Sequence, residues 1–324
     1  MASNEFDLIA RYFEHQNVNR RDVALSIGDD CALLEVPDGS QLAVSTDSLV
    51  AGTHFLADAD PALVAHKALA SNLSDLAAMG ATPAWVSLAL TLPSPDESWL
   101  RQFCQGFFAL ADYYNVQLVG GDTTKGPLSI TITVHGFVPK GKALTRSGAK
   151  SGDWVYVTGN LGDSAAGLSL LLGEKIVSDP QLIETLLDRH YKAQPRILAG
   201  QALRGIASAA LDISDGLISD LGHILKRSGL AASIEVDKLP LSPELCLFEA
   251  DRDKALQLAL GSGEEYELCF TVPEQNRGAI DTTLAHCGVK ATCIGQLRPG
   301  RGITLIRADQ PLDWQLHGYD HFAE

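Results

Sequence analysis

The sequence is short of positive charge. Its 324 residues carry 25 lysines and arginines against 40 aspartates and glutamates, a net charge of −15. That balance argues against a nucleic-acid partner held by bulk charge. The six cysteines include no C-x-x-C pair, so neither a zinc site nor a disulfide framework is expected. Most lie in apolar runs and read as core thiols of a reducing compartment. No stretch approaches the roughly 18 consecutive apolar residues that span a bilayer. The opening "MASNEFDLIARYFEH" has neither the basic nor the apolar region of a signal peptide, so a soluble, cytoplasmic protein with no membrane partner is expected. Three phosphate- or calcium-binding signatures are also missing: G-x-x-x-x-G-K-[ST], G-x-G-x-x-G and the EF-hand loop. A nucleotide would have to be held by some other device.

What is present is a chain long enough for about two domains. Apolar runs at 42–50, 84–92, 116–122, 129–138 and 153–159 read as strands, and helical spacing marks 61–79 and about 97–113. The Gly-, Lys- and Ser-rich segment 139–152 is the best candidate boundary. This divides the chain into two α+β domains, 1–148 and 149–324.

The aspartates carry the chemistry. In "SIGDDCALL", Asp29 and Asp30 sit side by side among apolar residues, where two buried carboxylates would repel each other and resist desolvation. Asp47 follows "LAVST", Asp122 follows "QLVGG", and Asp212 and Asp215 lie in "LDISDGLI". Each is at or near the end of an apolar run, where a strand gives way to a loop. Asp75 differs: it shares a helical stripe with Ser71 and Asn72 near a helix end, where the dipole disfavours an anion. Its Ala, Leu and Met neighbours favour a partly buried position. Five or six converging carboxylates with few arginines near them call for divalent cations, and oxygen-only donors favour Mg²⁺, Mn²⁺ or Ca²⁺ over zinc. Because Mg²⁺ takes few carboxylates and fills its shell with phosphate oxygens, several ions around a polyphosphate are expected. Gly120 and Gly121 before Asp122 permit close backbone approach to a phosphate, and Arg146 is either a phosphate contact or an ordinary linker cation.

Taken in order, "EFDLIARYF", "IGDDCALL", "STDSLVAGTHF", "KALASNLSDLAAMGATPAW", "LVGGDTTKGPLSITITVHG", "LTRSGAKSGDWVYVTG", "GDSAAGL", "DISDGLISDLGHI", "GEEYELCF" and "HGYDHF" resemble the thiamine-monophosphate kinase family, within the aminoimidazole ribonucleotide synthetase-like ATP-binding superfamily. The resemblance runs along essentially the whole chain. It implies a two-domain α+β fold: an N-terminal mixed sheet, flanked by helices, that pairs across a homodimer, and a C-terminal α/β domain completing the nucleotide and substrate site. It implies transfer of the ATP γ-phosphoryl to thiamine monophosphate. Carried over motif by motif, Asp30, Ser45, Thr46, Asp47, Asp75, Asp122, Asp212 and Asp215 would hold Mg²⁺; Gly121, Asp122, Arg146 and Ser214 would contact ATP; His54, Glu264 and Tyr319 would meet the thiamine phosphate. No catalytic His or Cys constellation is evident, which points to direct in-line transfer.

The family's G-G-E-D-Y-E-L reads here S-G-E-E-Y-E-L, with Glu265 in place of Asp, which leaves the role of that position open. Trp314 reads as a core or tail anchor, or as an aromatic face for the thiazolium. Two other readings stand beside the kinase. One is a sibling ATP-dependent synthetase; ring closure makes no use of a thiazolium site, and selenophosphate synthesis asks for a reactive N-terminal Cys where this chain's first is Cys31. The other is a non-enzymatic acidic metal-binding protein.

Overall fold

A computed structural model describes residues 5–316, 318, 319 and 322, and the backbone alone of Glu5 and Phe6. Residues 1–4 of the opening stretch and His317, Asp320 and His321 of the closing motif lie outside the described residues. Two compact units are present: one of residues to Leu76 with Ala81–Gly141, the other of Ala77–Gly80 with the chain from Lys142.

The first unit contains α1 (Glu5–Tyr12), β1 (Val23–Leu25), β2 (Leu33–Leu34), β3 (Ser40–Val50), α2 (Pro61–Ala78), β4 (Thr82–Leu92), α3 (Glu97–Tyr113), β5 (Gln117–Lys125) and β6 (Ser129–Pro139). Its four-stranded sheet has the order β3-β6-β4-β5. β3/β6 and β6/β4 are antiparallel, whereas β4/β5 is parallel. A parallel neighbour needs a crossover, and α3 supplies it. The Asp96 side chain caps that helix by accepting from the Ser98 and Trp99 N–H groups. Alternation along β6 sends Ile130, Ile132 and Val134 into the core and leaves Thr131, Thr133 and His135 on the other face.

The second unit contains β7 (Trp154–Thr158), α4 (Asp163–Leu171), α5 (Pro180–Tyr191), α6 (Ile197–Leu203), β8 (Ala209–Asp212), α7 (Leu217–Ser228), β9 (Leu230–Glu235), α8 (Pro243–Phe248), α9 (Arg252–Gly261), β10 (Leu268–Val272), α10 (Ile280–Ala285), β11 (Ala291–Pro299), β12 (Gly302–Arg307) and β13 (Gln310–Pro311). Its seven-stranded sheet runs β13-β12-β9-β11-β7-β10-β8, with only β12/β9 parallel. Val155, Val157, Leu211 and Cys269 of the sheet pack with Leu221 and Ile224 of α7 and Leu256 and Leu260 of α9. Trp314 lies against the same core, which accounts for it as a packing residue. Among the described residues no helix is long and apolar enough to cross a membrane.

Two expectations are corrected. "SIGDDCALL" does not bury its aspartates: apart from the two-residue β2 and an isolated bridge between Ile27 and Asp29 it is irregular, with Asp29 and Asp30 exposed. Its apolar residues are half-buried or, like Leu33, exposed; Ala32 and Leu34 pack against the core cluster of Ala84, Trp85, Val119 and Phe137 without being fully enclosed. Water therefore solvates both carboxylates, and burial of the pair does not demand a counter-ion there. Cys31 in that segment and Cys246 are likewise exposed, not core thiols.

Candidate functional site

In the first unit the covered sheet face gathers three of the expected groups. Ser45 and Asp47 alternate inward on β3, paired with buried Val134 and Ile132. The Ser45 hydroxyl donates to Asp75 Oδ2, and the Asp47 N–H donates to Asn72 Oδ1 at 3.2 Å. Asn72 is fully buried, while Asp75 in the last turn of α2 is half-buried. α2 therefore presents a polar stripe to a polar stripe of β3.

Thr46 falls on the opposite face, its hydroxyl 2.8 Å from that of Thr133, and Ser48 pairs likewise with Thr131 at 2.7 Å. Asp122 is exposed on that same outer face, since it pairs with Ala89, which in turn pairs with Thr131. β5 and β3 are three strand spacings apart, about 14 Å. The register thus separates Thr46 and Asp122 from Ser45, Asp47 and Asp75. Gly121 is required by packing: a Cβ there would lie 1.8 Å from the Leu88 carbonyl oxygen. His54 occupies a turn after β3, where its Nδ1 accepts from the Val50 N–H at 3.0 Å.

In the second unit the loop from Asp212 to Gly216 is the organising element. Asp212 ends β8 in a buried position. The Ser214 carbonyl accepts from the Glu264 N–H at 2.8 Å, and the Asp215 carbonyl accepts from the Tyr319 N–H at 2.9 Å. Three separate segments thereby bring Ser214, Asp215, Glu264 and Tyr319 together. Space is tight: a Cβ on Gly263 would sit 2.2 Å from the Ser214 oxygen, and one on Gly318 would sit 2.6 Å from the Asp215 oxygen. Glu264 and Tyr266 both hold positive φ, 62° and 52°, a costly backbone for such residues and one that clusters at functional loops. Arg146 is exposed in this unit and exerts its charge on Asp220 and His223.

Asp220 and Glu267, two carboxylates around this loop, escape the sequence reading, which leaves the role of a third, Glu265, open. Asp220 is 3% exposed, and one oxygen, Oδ2, accepts from the N–H groups of both Ser214 and Asp215 at 3.0 Å each. Burial pushes its carboxyl up to about 7, despite those hydrogen bonds and Arg146. Glu265 is partly exposed as a residue, but its carboxyl is enclosed and is raised well above the usual range by burial and then by Asp163. It accepts from the Gly162 N–H at 2.8 Å, just ahead of α4, which gives this departure from the family pattern a helix-capping role. Glu267 is buried against Arg196. Buried His190 lies 3.1 Å from Ser164 Oγ and 3.8 Å from Glu264 Oε2. Asp220 sits in the first turn of its helix, where an acid reads as ordinary dipole compensation, so only the S-D-G-L-x-x-D spacing could have flagged it.

Among the described residues no three His, Cys, Asp or Glu side chains group closely enough to hold a metal ion by themselves. The donors that do meet are all hard oxygens, one carboxylate against one hydroxyl at Asp75 and Ser45. That donor set fits Mg²⁺ shared with phosphate oxygens.

Comparison with known proteins agrees with this architecture. The AIR synthase related protein N-terminal domain matches residues 28–138, and the corresponding C-terminal domain matches residues 150–307. A thiamine-monophosphate kinase of Escherichia coli (strain K12) is 59% identical over 326 residues, covering 100% of this chain and 99% of the relative. The crystal structure of thiamine-monophosphate kinase from Stenotrophomonas maltophilia K279a matches with a TM-score of 0.86 at 43% identity, over 94% of this chain and 97% of that one. AaThiL complexed with AMPPCP and TMP matches with a TM-score of 0.77 at 33% identity, over 98% of this chain and 97% of that one. With relatives this similar over the full length of both halves, the chain belongs to the thiamine-monophosphate kinase family.

Proposed function

We propose that this protein transfers the γ-phosphoryl group of ATP to thiamine monophosphate, giving thiamine diphosphate and ADP. The observation that carries the reading is the loop Asp212–Gly216, bonded through its backbone to Glu264 and Tyr319. It joins residues suited to a nucleotide with residues suited to a cationic thiazolium ring. A relative that matches 98% of the chain is AaThiL complexed with AMPPCP and TMP.

In this reading Asp30, Ser45, Thr46, Asp47, Asp75, Asp122, Asp212 and Asp215 hold several Mg²⁺ ions together with phosphate oxygens. When bound, the ions neutralise the two anionic reactants. Gly121, Asp122, Arg146 and Ser214 contact ATP, with Arg146 supplying a guanidinium for phosphate oxygens. His54 meets the thiamine phosphate. Glu264 balances the thiazolium charge, and the half-exposed Tyr319 ring gives it an aromatic face. The acceptor phosphate is already ionised at neutral pH, so no side chain has to remove its proton. One of its oxygens bonds to the γ-phosphorus as the bond to the β-bridging oxygen breaks, and ADP leaves with that electron pair.

The cytoplasm is the matching location, and a homodimer belongs to the same proposal. Leu42, Val44 and Val50 of β3 are 43%, 55% and 37% exposed beside the hydroxyl pairs of the outer face, an apolar surface that a second copy would cover.

The test is an assay of purified protein with ATP, Mg²⁺ and thiamine monophosphate, read by thiochrome fluorescence, with free thiamine as a second acceptor. Thiamine diphosphate is expected from the monophosphate alone. ATP binding without that product, at any Mg²⁺ concentration, would turn the reading to a sibling synthetase. Chiral thiophosphate at the γ-position is expected to invert, and net retention would sink direct in-line transfer.

A further inference from the structure

We propose that Asp220 is a positioning residue for nucleotide binding, holding the loop Asp212–Gly216 in shape through a single carboxylate oxygen. This rests on the reading of that loop as part of the ATP and Mg²⁺ site.

The hydrogen bonds of Asp220 go to unusual places. A capping side chain ordinarily stands at the N-cap and serves the N–H groups of the first helical turn. Here the N-cap is Gly216, which has no side chain and a φ of 107°. Asp220 reaches back past it, and Oδ2 takes the N–H groups of Ser214 and Asp215, which precede the helix. The carbonyls of the same two residues are taken by Glu264 and Tyr319 N–H groups. Every backbone polar group of Ser214 and Asp215 is therefore occupied, which aims their side chains as the groups available to a ligand.

The arrangement is also rigid. A Cβ on Gly216 would stand 2.6 Å from the Gly261 oxygen, so the turn cannot be rebuilt with an ordinary residue. Asp220 is nearly fully buried, where the charge of Asp215 disfavours its ionised form and that of Arg146 favours it. A residue kept only for helix stability would have no reason to spend both bonds on the loop.

Because both bonds converge on one oxygen, position and charge can be separated. Asp220→Asn keeps a carbonyl oxygen able to accept both N–H groups. Asp220→Glu keeps the charge but moves the oxygen by one methylene, and Asp220→Ala removes the acceptor. The measurements are calorimetric affinity for a non-hydrolysable ATP analogue with Mg²⁺, the KM and kcat of the kinase assay, and ligand-free melting. Asp220→Asn is expected within about threefold of wild type in analogue affinity, and Asp220→Glu and Asp220→Ala to lose about ten- to a hundredfold, the range for groups that orient ligand-binding residues. KM for ATP should rise more than kcat falls.

Wild-type analogue affinity in a folded Asp220→Ala or Asp220→Glu would overturn the proposal, as would an Asn variant as weak as the Glu variant. If Asp220→Ala does not fold, the Asn and Glu pair decides it. Should wild type bind the analogue but make no thiamine diphosphate, the kinase reading fails while the affinities still judge Asp220.

Discussion

Asp75→Asn is expected to cut thiamine diphosphate formation about a thousandfold without lowering the melting temperature measured in the absence of Mg²⁺. The loss corresponds to about 4 kcal/mol of barrier, the upper range for removing one preorganised electrostatic contact. The carboxylate sits in the last turn of α2, where the helix carbonyls oppose a negative charge at a cost of about 0.3–1 kcal/mol. It shares the covered face of the sheet with Asp47, a second anion. For stability alone, asparagine would serve better at this position, since its amide oxygen can still accept from the Ser45 hydroxyl. Under the proposed function a cation at this carboxylate answers that cost, and its loss accounts for the lost activity. Activity titrated against Mg²⁺, beside ligand-free melting curves, checks both halves. A variant that keeps a tenth of wild-type activity at low Mg²⁺ would remove Asp75 from the metal site. A variant that melts several degrees lower would make it a structural residue.

The sequence made much of the scaffold legible, because two periodicities are strong in it. The spacing that marks 61–79 and 97–113 corresponds to α2 at Pro61–Ala78 and α3 at Glu97–Tyr113. The run 129–138 is β6 at Ser129–Pro139, and its strict alternation also tells which face is buried. What failed was the inference from local apolarity to burial. "SIGDDCALL" is apolar in composition but has no sustained period, and a turn places Asp29 and Asp30 in water. The face assignments were equally hidden. Ser45, Thr46 and Asp47 are consecutive, so a strand must send the middle residue to the other side, and only the register with β6 says which side holds Asp75. Asp163, Asp220 and Glu267 escaped for the opposite reason. Each looks like an ordinary acid in sequence; contacts with distant segments reveal Asp163 and Glu267 as buried and bonded, and the fold of the adjacent loop does so for Asp220.

The same contacts make Arg196→Leu a strongly destabilising change for the second unit. Glu267 is 6% exposed and meets the guanidinium through Nε at 2.7 Å and a second nitrogen at 2.5 Å. Thr158 Oγ1 donates to the same carboxylate at 2.6 Å and accepts from the Leu268 N–H at 2.8 Å. The group thus ties β7 to β10, and the Ile213 N–H bonds the Glu267 carbonyl at 2.8 Å on the way to the functional loop. Loss of the guanidinium strands a desolvated carboxylate, at a cost of about 3–5 kcal/mol. For a unit of this size that is a fall of about 6–20 °C in melting temperature. Removing the charge as well, in Arg196→Leu with Glu267→Gln, should recover more than half of the loss, because the amide no longer demands a counter-charge and can keep the Thr158 hydrogen bond. Urea unfolding of wild type, both single variants and the double variant measures the coupling directly. If the double variant is no more stable than Arg196→Leu, the penalty does not come from the stranded charge, and the arginine acts through the packing of its stem and its other contacts.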